Sequence, residues 1–98
     1  NHTCPTAIIC ATETIAMGCM KVLKDHGLRI PEDVSVTGFG GYWSSTVMSP
    51  ALTTIKFHYA HAGQMAGQII LDMIEEKEVE RATLIDFTFI EGESVRSI

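Results

Sequence analysis

The order of two short apolar runs around a helical repeat constrains the fold more than any other feature. Residues 6–11 are apolar almost throughout and lie between Pro5 and the polar residues 12–14. Such a run is typical of a strand in a parallel sheet that is covered on both faces. Apolar residues then recur at helical spacing, with Thr12 or Thr14 as the N-cap and Gly27 as the stop. Residues 34–37 form a second strand pattern, so the segment predicts a β-α-β unit.

The rest of the chain continues this alternation of strands and helices. Residues 52–57 are rich in β-branched side chains, residues 59–76 have the spacing of a long amphipathic helix, and residues 83–90 alternate as a last strand. The charged residues 75–81 are typical of a solvent-exposed segment. The sequence therefore predicts an α/β fold, with a mostly parallel sheet flanked by helices.

Composition excludes several classes of function. The chain has 98 residues, of which 46 % are apolar, which suits one folded domain. Its net charge is −5, and its seven cations form no basic stripe, so we expect no direct binding to nucleic acid. The apolar runs are too short to span a membrane. Cys4, Cys10 and Cys19 lack C-x-x-C spacing and are interpreted as small buried thiols in a reducing compartment.

Three groups of candidate site residues follow predicted strands. They are residues 12–14, residues 40–43 and residues 57–59. In an open parallel sheet, ligands bind beyond the carboxyl ends of the strands, where the loops converge. The pattern therefore predicts that these groups lie at one ligand-binding edge.

Several of these residues fit more than one kind of structure or site. The G-x-G-G pattern at residues 38–41 suits a phosphate cradle, a turn that requires positive φ, or space beside a bulky neutral ligand. His58 and His61 lack a carboxylate or thiolate in the local segment, which favours surface histidines over a metal site. Ser44 and Ser45 lack the G-x-S-x-G elbow of a hydrolase. We expect no enzyme activity, no metal ion and no cofactor.

Four blocks of sequence together carry a family resemblance. They are PTAIICATE at residues 5–13, AMG at residues 16–18, GLRIPEDVSVTGF at residues 27–39 and PALTTIK at residues 50–56. In this order they resemble the lactose/galactose repressor family of bacterial transcriptional regulators. The resemblance runs from Pro5 to about Arg96 and implies the C-terminal portion of a sugar-sensing domain.

That resemblance implies a two-lobed domain similar to periplasmic sugar-binding proteins. Residues 1–57 and 88–98 would belong to the C-terminal lobe, residues 58–87 would contribute to the N-terminal lobe, and Phe57 would lie at the hinge. A helix-turn-helix DNA-binding domain would precede this portion and is absent from the chain. The implied function is effector binding and dimerisation in a cytoplasmic repressor of a carbohydrate-utilisation operon.

Two departures from the family pattern bear on the ligand. The family usually has Asn-Asp where this chain has Thr12 and Glu13, and an Asp where this chain has Gly40. The glycine removes a charge-assisted acceptor for sugar hydroxyls. The GFGGY block and the F-x-Y spacing resemble the sucrose-operon repressor subgroup, which implies a sucrose-like or fructose-like sugar, or a sugar phosphate. The predicted ligand-binding residues are Thr12, Glu13, Gly40, Tyr42, Trp43, Phe57 and Tyr59.

The resemblance also implies a homodimer. Its predicted interface comprises Met17, Met20, Lys21, Lys24, Val47 and Met48. Two alternatives stay open at this point. Tyr42 and Trp43 could pack in the dimer contact while the ligand binds elsewhere, or the chain could belong to a periplasmic-type transport receptor.

Overall fold

The computed structural model describes residues 5–41 and 47–97. The first part of the chain forms the predicted β-α-β unit. Strand β1 spans Ala7–Ile9, helix α1 spans Glu13–Asp25 and strand β2 spans Ser35–Thr37. The two strands are parallel, with Ala7 opposite Ser35 and Ile9 opposite Thr37.

Helix α1 begins and ends where its local sequence predicts. Thr12 is the N-cap, and its Oγ1 accepts a hydrogen bond from the backbone N–H of Ile15 at 3.1 Å. His26 is the C-cap, and Gly27 follows with φ of +77°, a conformation that suits glycine. The buried face of the helix carries Ala16 and Met20.

The chain then forms strand β3 (Thr54–Phe57), helix α2 (Tyr59–Ile74) and strand β4 (Phe87–Ile90). Strand β3 follows β2 through the parallel bridges Thr37 to Thr53 and Gly40 to Lys56, and it pairs with β4. The last strand is shorter than the predicted residues 83–90, because its partner β3 offers only four residues for pairing.

One prediction about β1 is wrong. Its apolar run indicated a strand covered on both faces, yet Ile9 is 85 % exposed. Among the described residues, β1 pairs with β2 along one edge, and no element packs over the face that carries Ile9. A continuous apolar run therefore marked a strand correctly but did not reveal how much of it is covered.

The core of this first part is small and lies between α1 and the strands. Its buried apolar members are Cys10, Ala16, Met20, Ile30, Val34, Val36 and Leu52. The segment after β4 packs against the same strands: Ser94 is completely buried and hydrogen-bonds both Val36 and Thr53. The terminal residues therefore contribute to the first part of the fold.

The chain divides into two compact units. The first comprises Asn1–Lys56 and Phe89–Ile98, and the second comprises Phe57–Thr88. These boundaries lie within one residue of the predicted lobe boundaries, and the assignment of the units to two lobes stays a prediction. In the second unit every residue of α2 keeps part of its surface exposed. Among the residues that the structure describes, no helix is long and apolar enough to cross a membrane.

Candidate ligand-binding site

Three strand ends converge at one edge of the first unit. Thr12 and Glu13 follow β1, Gly40 and Gly41 follow β2, and Lys56 lies near the end of β3. The backbone N–H of Gly41 donates to Glu13 Oε2 at 2.6 Å, and the N–H of Gly40 donates to the carbonyl of Ile55 at 2.9 Å. The structure thus brings together three of the predicted site residues, namely Thr12, Glu13 and Gly40.

The glycines at this edge are required by the backbone and by close packing. Gly40 and Gly41 have φ of +126° and +68°. A Cβ atom on Gly41 would lie 2.3 Å from the Cα atom of Lys56, and one on Gly38 would lie 2.6 Å from Cδ2 of Leu52. The interpretation of this glycine cluster as a turn that requires positive φ is therefore correct for Gly40 and Gly41. The two other interpretations of the glycines, a phosphate cradle and space beside a neutral ligand, stay predictions.

The two polar side chains after β1 are engaged within the protein. Thr12 caps α1, and Glu13 is only 1 % exposed with its carboxylate bonded to Gly41. Sequence patterns placed both residues at the ligand edge but did not indicate that Glu13 is buried. Direct contact between Glu13 and an effector stays a prediction, which the burial of its side chain makes costly.

The structure describes two of the four predicted aromatic site residues. Tyr42 and Trp43 lie outside the described residues. Phe57 and Tyr59 begin the second unit, with ring centroids 6.1 Å apart and ring planes at 70°, an edge-to-face arrangement. Tyr59 is 44 % exposed and Phe57 is half-buried, so part of this aromatic pair faces solvent.

The predicted association residues lie on one surface, with one exception. Met17, Lys21, Lys24 and Met48 line a groove of about 280 Å³, and Lys24 Nζ donates to the carbonyl of Ser49. Val47 is exposed next to Met48 in the chain. We call the residues Met17, Lys21, Lys24, Val47 and Met48 the methionine surface.

Met20 is the exception. It lines the groove but is only 4 % exposed and belongs to the core, so it offers little surface to a partner, and its place in an interface stays a prediction. Helical spacing puts Met20 near Met17, yet the Met20 side chain is buried in the core and the Met17 side chain is exposed.

The surroundings of His58 and of the cysteines do not form a metal site among the described residues. His58 Nε2 lies 2.8 Å from Thr88 Oγ1, and no cluster of metal-ligating side chains occurs among the described residues. Burial, together with the neighbouring Cys19, raises the pKa of the Cys10 thiol. Both cysteines are free, and Cys4 lies outside the described residues.

The chain has an α/β fold in which a glycine turn follows the second of two parallel strands. Residues 1–95 match the model of the periplasmic binding protein-like domain. This chain belongs to that family, and the predicted fold class is confirmed.

Its relatives are transcriptional repressors. The HTH-type transcriptional repressor PurR of Pasteurella multocida (strain Pm70) is 37 % identical over 84 residues, which cover 86 % of this chain and 25 % of that protein. The PurR of Vibrio cholerae (strain M66-2) is 42 % identical over 77 residues, covering 79 % of this chain and 23 % of that protein. The chain thus spans about a quarter of the length of these relatives.

Solved structures give the same relationship. A lac repressor dimer bound to operator and the anti-inducer ONPF superposes with a TM-score of 0.90 at 28 % identity, over 95 % of this chain and 32 % of that one. A LacI-type transcription regulator from Bifidobacterium animalis subsp. lactis gives a TM-score of 0.86 at 33 % identity, over 95 % of this chain and 34 % of that one. The chain is therefore related to LacI-type repressors, which fits the expectation that it is not an enzyme.

Proposed function

We propose that the chain is the effector-binding and dimerisation part of a repressor that controls a carbohydrate-utilisation operon. The observation that carries this proposal is the meeting of three strand ends at a glycine turn, in a chain related to transcriptional repressors. The protein would act in the cytoplasm and bind operator DNA through an N-terminal domain outside this chain. The same relatives favour a regulator over a transport receptor.

The proposed effector is a sucrose-like or fructose-like sugar, or its phosphate. Gly40 has no side-chain acceptor, so binding energy must come largely from aromatic and neutral polar contacts. The Phe57 and Tyr59 rings, with Tyr42 and Trp43 from the segment after the glycine turn, supply flat apolar faces for sugar rings. Thr12 and Gly40 complete the proposed contacts, and the buried Glu13 carboxylate is bonded to Gly41 next to Gly40.

The test uses the full-length regulator and the emission of Trp43, the one tryptophan in these 98 residues. The probes are sucrose, fructose, fructose 6-phosphate, trehalose and a galactoside, in a full-length protein whose other tryptophans are replaced by phenylalanine. We expect a saturable change with at least one of the first four and none with the galactoside. If none of the four binds while operator binding is intact, the proposal of a sucrose-like or fructose-like effector is wrong.

Substitutions locate the site. Phe57→Ala and Tyr59→Ala should each weaken binding about 5- to 150-fold, equivalent to roughly 1–3 kcal/mol for a lost aromatic contact. Phe87→Ala is the matched control, because Phe87 is an exposed aromatic residue on β4. Unchanged affinity in both test variants would assign the aromatic pair a structural role.

A further inference from the structure

The carboxylate of Glu13 joins two segments at the proposed ligand edge. Glu13 is the first residue of α1, and its Oε2 accepts the N–H of Gly41, 28 positions later, at 2.6 Å. This is a short, charge-assisted hydrogen bond in a position that water does not reach. The end of β1 is thereby tied to the turn after β2.

The path of this side chain depends on the glycine turn. A Cβ atom on Gly38 would lie 3.2 Å from Cγ of Glu13, so the missing side chain leaves room for the glutamate. At the far end of the path, Gly41 packs directly on the backbone of Lys56 in β3. Glu13 therefore braces a turn that is itself in contact with the third strand end.

We propose that Glu13 is a positioning residue, which holds the turn at residues 38–41 in its ligand-competent shape and does not itself contact the effector. The role in ligand binding rests on the function proposed above. The buried Glu13 Oε2 already accepts the Gly41 N–H, so a ligand hydroxyl that approached this oxygen would compete with that bond. Thr12 is exposed and accepts one hydrogen bond from Ile15, so its hydroxyl hydrogen and a second lone pair can serve a ligand.

Side-chain length and charge separate this role from direct contact. Glu13→Gln keeps an oxygen acceptor at the same reach, whereas Glu13→Asp is one methylene too short to meet Gly41. A brace should therefore tolerate Gln and fail with Asp. A charged ligand contact should be weakened by both changes.

The first measurement needs no ligand. Amide hydrogen exchange of Gly41, followed by NMR on the protein, should be slow in the parent and in Glu13→Gln and about tenfold or more faster in Glu13→Asp, since a charge-assisted bond is lost. The Cα shifts of Gly40 and Gly41 should move in Glu13→Asp as well. Asp25→Asn, which changes an exposed carboxylate of the same helix, is the control and should leave Gly41 unchanged.

Two results would overturn the brace. One is equal Gly41 exchange in the parent and Glu13→Asp. The other applies if Glu13→Asp does not fold, and it uses the chemical shift of the Gly41 amide proton in Glu13→Gln. This shift should move upfield, because a neutral acceptor replaces a charged one. An unchanged shift would contradict the proposal.

The second measurement concerns the effector site, with sucrose as the probe and the full-length regulator. We expect Glu13→Gln to stay within about threefold of the parent affinity and Glu13→Asp to lose about tenfold or more. Equal losses in both variants, with Gly41 still protected in Glu13→Gln, would make Glu13 a ligand contact and refute the positioning role. If sucrose binds neither parent nor variants, the choice of effector is wrong, while the exchange measurement still decides the brace.

Discussion

At the scale of single residues, buried polar side chains join segments that are far apart in sequence. The hydroxyl of Ser94 donates to the carbonyl of Val36 at 2.5 Å and accepts the N–H of Thr53 at 2.9 Å. Its own carbonyl accepts the N–H of Val36 at 2.9 Å. One serine near the end of the chain thus satisfies backbone groups on both β2 and the start of β3.

Ser94→Ala should lower the free energy of unfolding by about 1–3 kcal/mol, because the substitution leaves the buried N–H of Thr53 without its acceptor. Urea unfolding followed by circular dichroism measures the change. Ser97→Ala, at an exposed position in the same segment, is the control and should change it little. Equal stability of the two variants would contradict this role.

Thr54 and Thr53 form a matched pair of neighbouring threonines. Thr54 Oγ1 is buried without a hydrogen-bond partner among the described residues, whereas Thr53 Oγ1 accepts the N–H of Gly92 at 3.1 Å. Thr54→Val should leave the free energy of unfolding unchanged or raise it by up to about 1 kcal/mol, while Thr53→Val should lower it by about 1 kcal/mol or more. Thermal unfolding of both variants tests the difference, and a loss at Thr54 would indicate a polar partner for its hydroxyl.

At the scale of elements, α1 has three separate roles. Its first turn supplies Thr12 and Glu13 to the ligand edge, its buried face fills the core, and its exposed face carries part of the methionine surface. The start of this helix therefore affects the ligand edge as well as stability.

Thr12→Ala should cost about 1 kcal/mol of unfolding free energy, because the N–H of Ile15 loses its cap. Thr12→Ser should restore most of it, since serine is an equally good N-cap. Thr14→Ala, in the first turn of the helix but not the cap, is the control. Chemical denaturation of the three variants is the measurement. An unchanged free energy of unfolding in Thr12→Ala would show that the cap contributes nothing.

The methionine surface predicts self-association. Met17 is 46 % exposed and lies beside Met48 in one groove, an apolar surface that pairing with a second copy would cover. We expect Met17→Asp combined with Met48→Asp to give monomers in sedimentation equilibrium, because four buried carboxylates would face each other across a two-fold contact. The control places the same charges on α2, as Ile70→Asp with Met73→Asp, and should still dimerise. Parent-like sedimentation of the first double variant would contradict the proposed interface.

At the scale of the whole molecule, charge is divided unequally between the two units. The second unit has six acidic and two basic residues, whereas the first has six acidic and five basic residues. Both units are net negative, so each repels the phosphate backbone of DNA. The operator binding proposed above therefore requires basic residues outside these 98.

The chain alone should therefore bind duplex DNA no better than an acidic control protein. Fluorescence anisotropy with a labelled near-palindromic duplex, at low and high salt, tests this expectation. The full-length regulator serves as the positive control. Salt-sensitive binding at micromolar concentration by the chain alone would contradict it.

Local patterns determined the elements of this protein. Strand and helix types, the N-cap at Thr12 and the stop at Gly27 depend on neighbours within a few positions, which hydrophobic periodicity and capping preferences report directly. The order of these elements also determined that Thr12, Glu13 and Gly40 would meet, since the carboxyl ends of parallel strands lie at one edge.

Burial and partner choice were decided by tertiary structure. Helical spacing did not indicate that Met20 is in the core while Met17 is exposed, nor did an apolar run reveal that Ile9 has no cover. The bond from Gly41 to Glu13 and those of Ser94 join residues 28 to 58 positions apart. Such contacts are decided by the packing of whole elements, because a side chain's hydrogen-bond partners depend on which backbone groups the fold brings within about 3 Å of it.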